Sequence, residues 1–248
     1  MVVDRIVHRF IHRVRRADRA HEHQHQHGDG HGGHEHSHES DGGLHEEGRF
    51  AGEHAVRYER RARSRTRFYR GVARDVLALA PADGHVLDVG TGPGQLVCEL
   101  ARARADVRVT GVDLEPSMVE LAERAVRAAY PERAVHPEGS DRAARGAVEV
   151  LVGDVAALPL EAASVDVAVA SMTAHHWPDV PAAVRELVRV LRPGGVLVVV
   201  DFRSAVEEPL AEAVASAVPG ARVTRRVRWA WGLPALSTWR VQLPDATS

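Results

Sequence analysis

Lysine is absent from this 248-residue chain, and all 32 basic residues are arginine. That absence excludes a phosphate-cradling loop, which needs a lysine and a hydroxyl residue directly after its glycines. A single cysteine, Cys98, excludes an internal disulfide framework, suits a reducing compartment and reads as a small apolar side chain on a helix. No apolar run reaches the roughly 18 residues of a membrane span, and the N-terminus lacks the long apolar core of a secretory signal. A cytoplasmic location is therefore expected. A formal net charge of −2 gives no global electrostatic case for a nucleic-acid partner. With 44% hydrophobic and 27% charged residues, the length suits one full-sized core with additional segments. The abundance of arginine, alanine, valine and glycine reads as a genomic compositional bias, so arginine runs carry reduced weight.

The most informative stretch is VLDVGTGPGQLVCELARARADVRVTGVD, residues 86–113. Val86, Leu87 and Val89 form an apolar run suited to a strand covered on both faces. Gly90, Gly92 and Gly94 permit a tight turn into the next helix and let backbone approach a ligand. Asp113 ends a second strand about 20 residues beyond the turn, where a carboxylate accepts hydrogen bonds from both ribose hydroxyls. The unit reads as a nucleoside-cofactor site. Its spacing is G-x-G-x-G, with Gln95 where the third glycine of the dinucleotide fingerprint G-x-G-x-x-G would fall, which disfavours a dehydrogenase.

VLDVGTGPG, VTGVDLEPSMVELAERA, VLVGDVAALPLEAASVDVAVASMTAHHW and LVRVLRPGGVLVVVDF together resemble the successive motifs of class I S-adenosylmethionine-dependent methyltransferases, over roughly residues 53–202. The resemblance implies an α/β fold: a doubly wound, Rossmann-like seven-stranded sheet of order 3-2-1-4-5-7-6, last strand antiparallel, with helices on both faces. It implies S-adenosylmethionine as cofactor and S-adenosylhomocysteine as product. By similarity, Asp88 and the Gly90-Thr91-Gly92-Pro93-Gly94 turn hold the methionine end, with Gln95 and Ser171 also at the cofactor, and Asp113 takes the ribose. Asp154 and Val155 would contact the adenine amino group and a ring nitrogen, and Leu114 and Met118 would wall the adenine face; Met118 as ordinary core is the alternative. Tyr58-Glu59-Arg60 resembles an N-terminal element that closes over the cofactor, which makes Tyr58 a pocket candidate, against simple surface packing.

Each acid also has a bland reading. A buried Asp88 is costly unless its oxygens are satisfied, so it is expected to bond turn amides or the cofactor amine. Asp113 and Asp154 could terminate strands or cap helices. Their common position at the carboxyl ends of consecutive strands favours a site, because ligands of open parallel sheets bind outside those ends. His175 and His176 lie just past the fourth strand. One is a candidate catalytic base, the alternatives being a helix cap or local packing. Trp177 would wall an acceptor pocket or pack at a helix entry.

Beyond these motifs, a strand is predicted over Val165–Ala170 and a helix from Pro178 through Leu191, stopped by Pro193-Gly194-Gly195. A strand Val196–Val200 ending at Asp201, a helix around Pro209–Val218 and a short terminal hairpin between Arg222 and Leu243, flanking GLPAL, complete the alternation. Residues 131–146 form an extra turn of structure or a mobile loop. Residues 56–80 predict a helix with Phe68, Val72, Val76 and Leu79 on its apolar face and eight arginines between Arg57 and Arg74. A solvated basic face is the default for it and an RNA-binding stripe the alternative.

The first 48 residues differ in kind. Residues 1–20 place Val3, Ile6, Val7, Phe10, Ile11 and Val14 at helical spacing beside arginines, an amphipathic helix for a membrane surface, a partner or its own domain. Residues 21–48 carry nine histidines in a low-complexity, flexible segment. His21, His23, His25, His27, His31, His34, His36 and His38 are candidate ligands for loose zinc, nickel or copper binding. Residues 49–248 form the methyltransferase-like domain. Three functions follow: methyl transfer to a small-molecule O, N or C acceptor, the reading adopted; methyl transfer to RNA or protein, although the N-P-P-Y type signature is absent where SMTAHHW stands; and a non-enzymatic module with a metal-binding or membrane-surface tail. Oligomeric state is not legible.

Overall fold

The computed structural model describes residues 66–135, 145–230 and 233–246, all within the unit Gly48–Ser248. The 1–20 helix, the histidine segment, Tyr58 and residues 136–144 lie outside the described residues, as do Trp231 and the side chain of Trp229. The elements run α1 (Thr66–Leu77), β1 (His85–Val89), α2 (Gln95–Ala103), β2 (Arg108–Asp113), α3 (Pro116–Ala129), β3 (Val148–Val152) and β4 (Val165–Ser171). A 3-10 turn (Ala174–His176) leads to α4 (Val180–Val190), β5 (Leu191–Phe202), α5 (Arg203–Ala217), β6 (Arg222–Ala230) and β7 (Leu233–Gln242). The seven strands form one sheet of order β3-β2-β1-β4-β5-β7-β6. β1 to β5 are parallel, and β7 runs antiparallel to both its neighbours, as expected.

Strand periodicity divides the core. On β5, Val196, Val198 and Val200 join the cluster under α1, α2 and α3, while Leu197 and Val199 join the one under α4 and α5. The same alternation puts Val86 on the first face and Leu87 and Val89 on the second. Burial on both faces is why these strands read as continuous apolar runs. Among the described residues, no helix is long and apolar enough to cross a membrane.

Several boundaries differ from expectation. α4 begins at Val180, not Pro178, because the Asp179 side chain caps it by accepting from the Ala182 N–H at 2.8 Å. Pro193-Gly194-Gly195 does not separate helix from strand: β5 already starts at Leu191, which pairs with Val165, and Gly194 donates its N–H to Pro244 O at 2.9 Å. α5 starts six residues before Pro209, since Val206 and Leu210 already form its buried stripe together with Ala213 and Val214. The terminal hairpin is long, with strands of nine and ten residues. β7 begins inside GLPAL, and Leu236 packs with Phe202 and Met172. Of residues 131–146, Arg133 fastens the first part, donating to Ala101 O and Gly146 O at 2.6 Å each.

One polar row crosses the amino-terminal half of the sheet. His85 is 3% exposed, Thr110 0% and Glu149 2%. Thr110 donates its hydroxyl to Glu149 Oε1 at 2.9 Å, so its oxygen accepts from His85 Nε2 at 2.8 Å. Burial, reinforced by the Arg108 charge, pushes the His85 pKa down to about 4. Thr110→Val removes the hydroxyl that both neighbours use and leaves two buried polar groups short of a partner. We expect a loss of about 2–3 kcal/mol, read as a lower urea midpoint with an unchanged m-value.

Candidate functional site

The site is built at the carboxyl ends of β1, β2 and β4, where the apolar strands stop. Gly90, Gly92 and Gly94 take φ values of 66°, 55° and 80°, the left-handed region that glycine enters without strain. The turn is pinned to the neighbouring strand: Gly90 and Thr91 donate their N–H groups to Val112 O at 2.8 and 3.1 Å, and Gly92 donates to Asp113 Oδ2 at 2.7 Å. A Cβ on Gly90 would stand 2.0 Å from Thr173 Oγ1, and one on Gly94 2.9 Å from Ala122 Cβ. The turn is therefore wedged between the end of β4 and α3.

Asp88 is 2% exposed, and Thr91 Oγ1 donates to its Oδ2 at 2.8 Å. Burial pushes its pKa up to about 7 against the lowering effect of that hydrogen bond, with the Asp113 charge adding to the rise. Burial also raises the pKa of Asp113, although its carboxylate accepts from the Gly92 and Glu115 amides. Two bonds do not exhaust a carboxylate's acceptor capacity. Beyond Asp113, Leu114 is 69% exposed and Val152 51% exposed, an apolar shelf at the ends of β2 and β3. Met118 is half-buried on the first turns of α3. Asp154 is exposed and folds its Oδ1 onto the Ala156 N–H at 2.8 Å, while Val155 packs against the second-face core.

The crevice beside the turn is lined by Asp88, Gly90, Thr91, Gly92, Pro93, Leu96, Ser171 and Tyr69. Ser171 Oγ is buried there and has no hydrogen-bond partner among the described residues. Gln95 opens α2 at the rim, half-buried. Tyr69 is a residue that sequence reasoning missed. Its spacing to Val72 and Val76 on α1 carried the signal.

His175 and His176 occupy the 3-10 turn after β4, their ring centroids 4.0 Å apart. His176 is exposed. Neither caps α4, since Asp179 does. His175 Nδ1 lies 2.8 Å from Asp201 Oδ1, and the His175 backbone N–H donates to Asp201 Oδ2 at 3.2 Å. Asp201 is fully buried at the end of β5, and the Phe202 ring meets His175 edge-on at 5.3 Å. A carboxylate only accepts, so His175 carries its proton on Nδ1 and leaves Nε2 as the acceptor nitrogen. Asp201 was also missed as a site residue, although an acid closing an apolar run was the signal that found Asp113. Trp177 packs half-buried against the α4 and α5 core. Among the described residues no group of histidine, cysteine, aspartate or glutamate could hold a metal ion.

Residues 87–199 match the family model described as a methyltransferase domain. The chain is 36% identical over 122 residues to the 27-O-demethylrifamycin SV methyltransferase of Amycolatopsis mediterranei, covering 49% of this chain and 39% of that one. It is 35% identical over 126 residues to the ubiquinone/menaquinone biosynthesis C-methyltransferase UbiE of Syntrophotalea carbinolica, covering 51% and 46%. The chain thus spans less than half the length of these two relatives. A solved structure from Methanococcus maripaludis, assigned as an S-adenosylmethionine-dependent methyltransferase, superposes with a TM-score of 0.63 at 18% identity, over 79% of this chain and 94% of that one.

The Asp88 environment makes stability pH-dependent. A carboxyl whose pKa is raised from 3.8 to about 7 favours the fold fully below pH 3.8, and that contribution is lost as pH rises towards 7. In the cofactor-free protein the loss amounts to roughly 4 kcal/mol. His85 acts in the opposite sense, its contribution present above its unfolded pKa and lost as pH falls towards 4. The wild type is therefore compared with Asp88→Asn, in which His85 is unchanged. We expect the variant's stability advantage in urea titrations to grow as pH rises and to level off above pH 7.

Proposed function

We propose that this chain is a class I S-adenosylmethionine-dependent methyltransferase that transfers a methyl group to a small-molecule acceptor by in-line displacement, a reading supported by the match of residues 87–199 to a methyltransferase domain and by the shared fold. The observation that carries the reading is the pairing of a left-handed glycine turn with Asp113, its carboxylate bonded to that turn, beside an exposed apolar shelf. The polypeptide fits the cofactor: a close-approach turn, an acid at ribose distance in sequence, apolar walls for a purine and an orphaned buried hydroxyl at Ser171. When bound, the sulfonium supplies an activated methyl group and a good leaving group.

The chain's own residues then have positioning roles. Asp88 and the Gly90–Gly94 turn, with Thr91 and Gln95 at its edges, hold the methionine end. Asp113 accepts from the ribose, Leu114 and Met118 cover the purine face, and Asp154 with the Val155 amide reads its edge. Tyr69, and Tyr58 from beyond the described residues, close the crevice. His175, held by Asp201, takes the acceptor's proton at Nε2, which suits a hydroxyl or an enolisable carbon better than an amine. His176 stands beside it as the second candidate base.

The remaining readings are proposals of the same kind. Residues 49–248 are the catalytic domain, residues 1–20 a peripheral contact helix for a membrane surface or a partner, and residues 21–48 a loose zinc, nickel or copper ligand. A reducing cytoplasm is the proposed location, supported by the free Cys98, whose thiol burial pushes up to about 11.

Calorimetric titration with S-adenosylhomocysteine tests the cofactor site. We expect saturable binding by the wild type and at least about 100-fold weaker binding by Asp113→Ala, the loss of two hydrogen bonds to a charged acceptor. Well-folded wild type that binds no S-adenosylhomocysteine would overturn the proposal. Once an acceptor is in hand, Asp201→Asn should lower kcat while S-adenosylhomocysteine affinity stays unchanged, whereas a histidine that serves only packing would leave kcat unchanged in the folded variant.

A further inference from the structure

Between α1 and α2 runs a groove of about 710 Å³, on the far side of α1 from the Tyr69 crevice. Its floor includes Gly71, Leu77 and Ala103, and its rim carries Arg67, Arg70, Arg74 and Arg102. A fifth arginine, Arg104, is accounted for by the fold, since it donates to Leu77 O, Ala80 O and Pro81 O at the end of α1. Among the described residues, the other four make no such bonds to backbone carbonyls, and three of them have only surface carboxylates as partners. Arg70 and Arg102 share the single carboxylate of Glu99, at 3.3 and 2.9 Å. Arg74 is 83% exposed in its side chain, with Asp75 no nearer than 3.7 Å.

Gly71 is the second observation. It sits in the middle of α1, where glycine costs roughly 1 kcal/mol relative to alanine. A Cβ built on it meets nothing within 4 Å, so nothing in the described fold requires its absence. Arg67, Gly71 and Arg74 recur at i, i+4 and i+7, one stripe along α1 with a notch at its centre. A smooth notch ringed by cations suits a ridge of another helix that crosses closely and carries carboxylates.

The lining discriminates between anionic partners. Among the described residues no aromatic ring lines the groove, so they offer no stacking platform for single-stranded nucleic acid. It is concave, whereas a membrane-surface element inserts protruding apolar side chains. We propose that the α1–α2 groove docks an acidic amphipathic helix of a partner protein, its carboxylates meeting Arg67, Arg70, Arg74 and Arg102 and its backbone crossing at Gly71.

The test uses the full-length chain and a labelled synthetic amphipathic helix of roughly 18 residues, with leucines at i, i+3 and i+4 spacing flanked by glutamates. A version with lysine for glutamate, poly(U) and phosphatidylserine vesicles form the other arms. Saturable anisotropy binding of the glutamate peptide is expected, weakened at least about tenfold by Arg67→Glu with Arg74→Glu and likewise by Gly71→Leu, whose side chain fills the notch. The melting temperature of Gly71→Leu should equal or exceed that of the wild type, because the substitution improves helix propensity in open space. Binding that ignores the substitutions, equal binding of the lysine peptide, or binding of poly(U) or vesicles alone overturns the proposal. So does a lowered melting temperature for Gly71→Leu, which would mean that the chain itself already covers the groove.

Discussion

Much of this domain hangs on the contact between Gly90 and Thr173. The space a side chain would need at Gly90 is taken by the Thr173 hydroxyl, 2.0 Å from the Cβ position, while the Gly90 and Thr91 amides are spent on Val112 O. One turn is thereby fixed to two strands at once. The bond to Val112 places the turn beside Asp113, and the contact with Thr173 sets the exit of β4, from which Ser171 faces the crevice and His175 reaches Asp201. A side chain at Gly90 would have to displace Thr173, whose Cβ and Cγ2 lie 2.6 and 2.9 Å from the same position. Asp113 and the candidate base share a frame because both are fixed from the same turn.

The two ends of the sheet handle buried charge differently. At the amino-terminal half, His85, Thr110 and Glu149 satisfy one another across three strands, and the histidine is held neutral. That network is closed, and its groups have partners within the fold. At the carboxyl ends the accounts stay open. Asp88 has one hydroxyl partner and a pKa displaced upward by burial, and Ser171 Oγ has no partner among the described residues. An apolar sheet tolerates polar groups where they complete one another or where a ligand completes them. The open groups at Asp88 and Ser171 therefore support the carboxyl ends as the place of the proposed site.

What could be read from the sequence was whatever depends on short-range pattern. Strand β1, the glycine turn and Asp113 lie within one stretch of fewer than thirty residues, and the apolar runs of parallel strands announce themselves. Tyr69 and Asp201 were not found, for different reasons. Tyr69 lies on α1 among positions that read as core, and only the packing of α1 across β4 brings its ring to the crevice. Asp201 is the last residue but one of β5, and its meaning comes from His175, twenty-six residues away, which only strand order brings near. Boundaries at Leu191, Arg203 and Leu233 were misplaced wherever proline and glycine suggested a break. There the sheet's hydrogen bonds, or a buried stripe beginning before Pro209, outweighed local preference.

On the proposed reading, the His175–Asp201 pair narrows the range of acceptors. A sulfonium methyl needs little help to leave, so a base matters only when the acceptor holds its proton tightly at neutral pH. An unpaired surface histidine would turn freely and exchange its tautomers. Asp201 removes that freedom twice, through Nδ1 and through the backbone amide, and Phe202 confines the ring from the side. A fully buried carboxylate is an expensive device for mere packing, since an apolar residue at the end of β5 would serve as well. In the proposed reading that pair favours acceptors that lose a proton as the methyl arrives, hydroxyl or enolic carbon nucleophiles over amines that are already neutral.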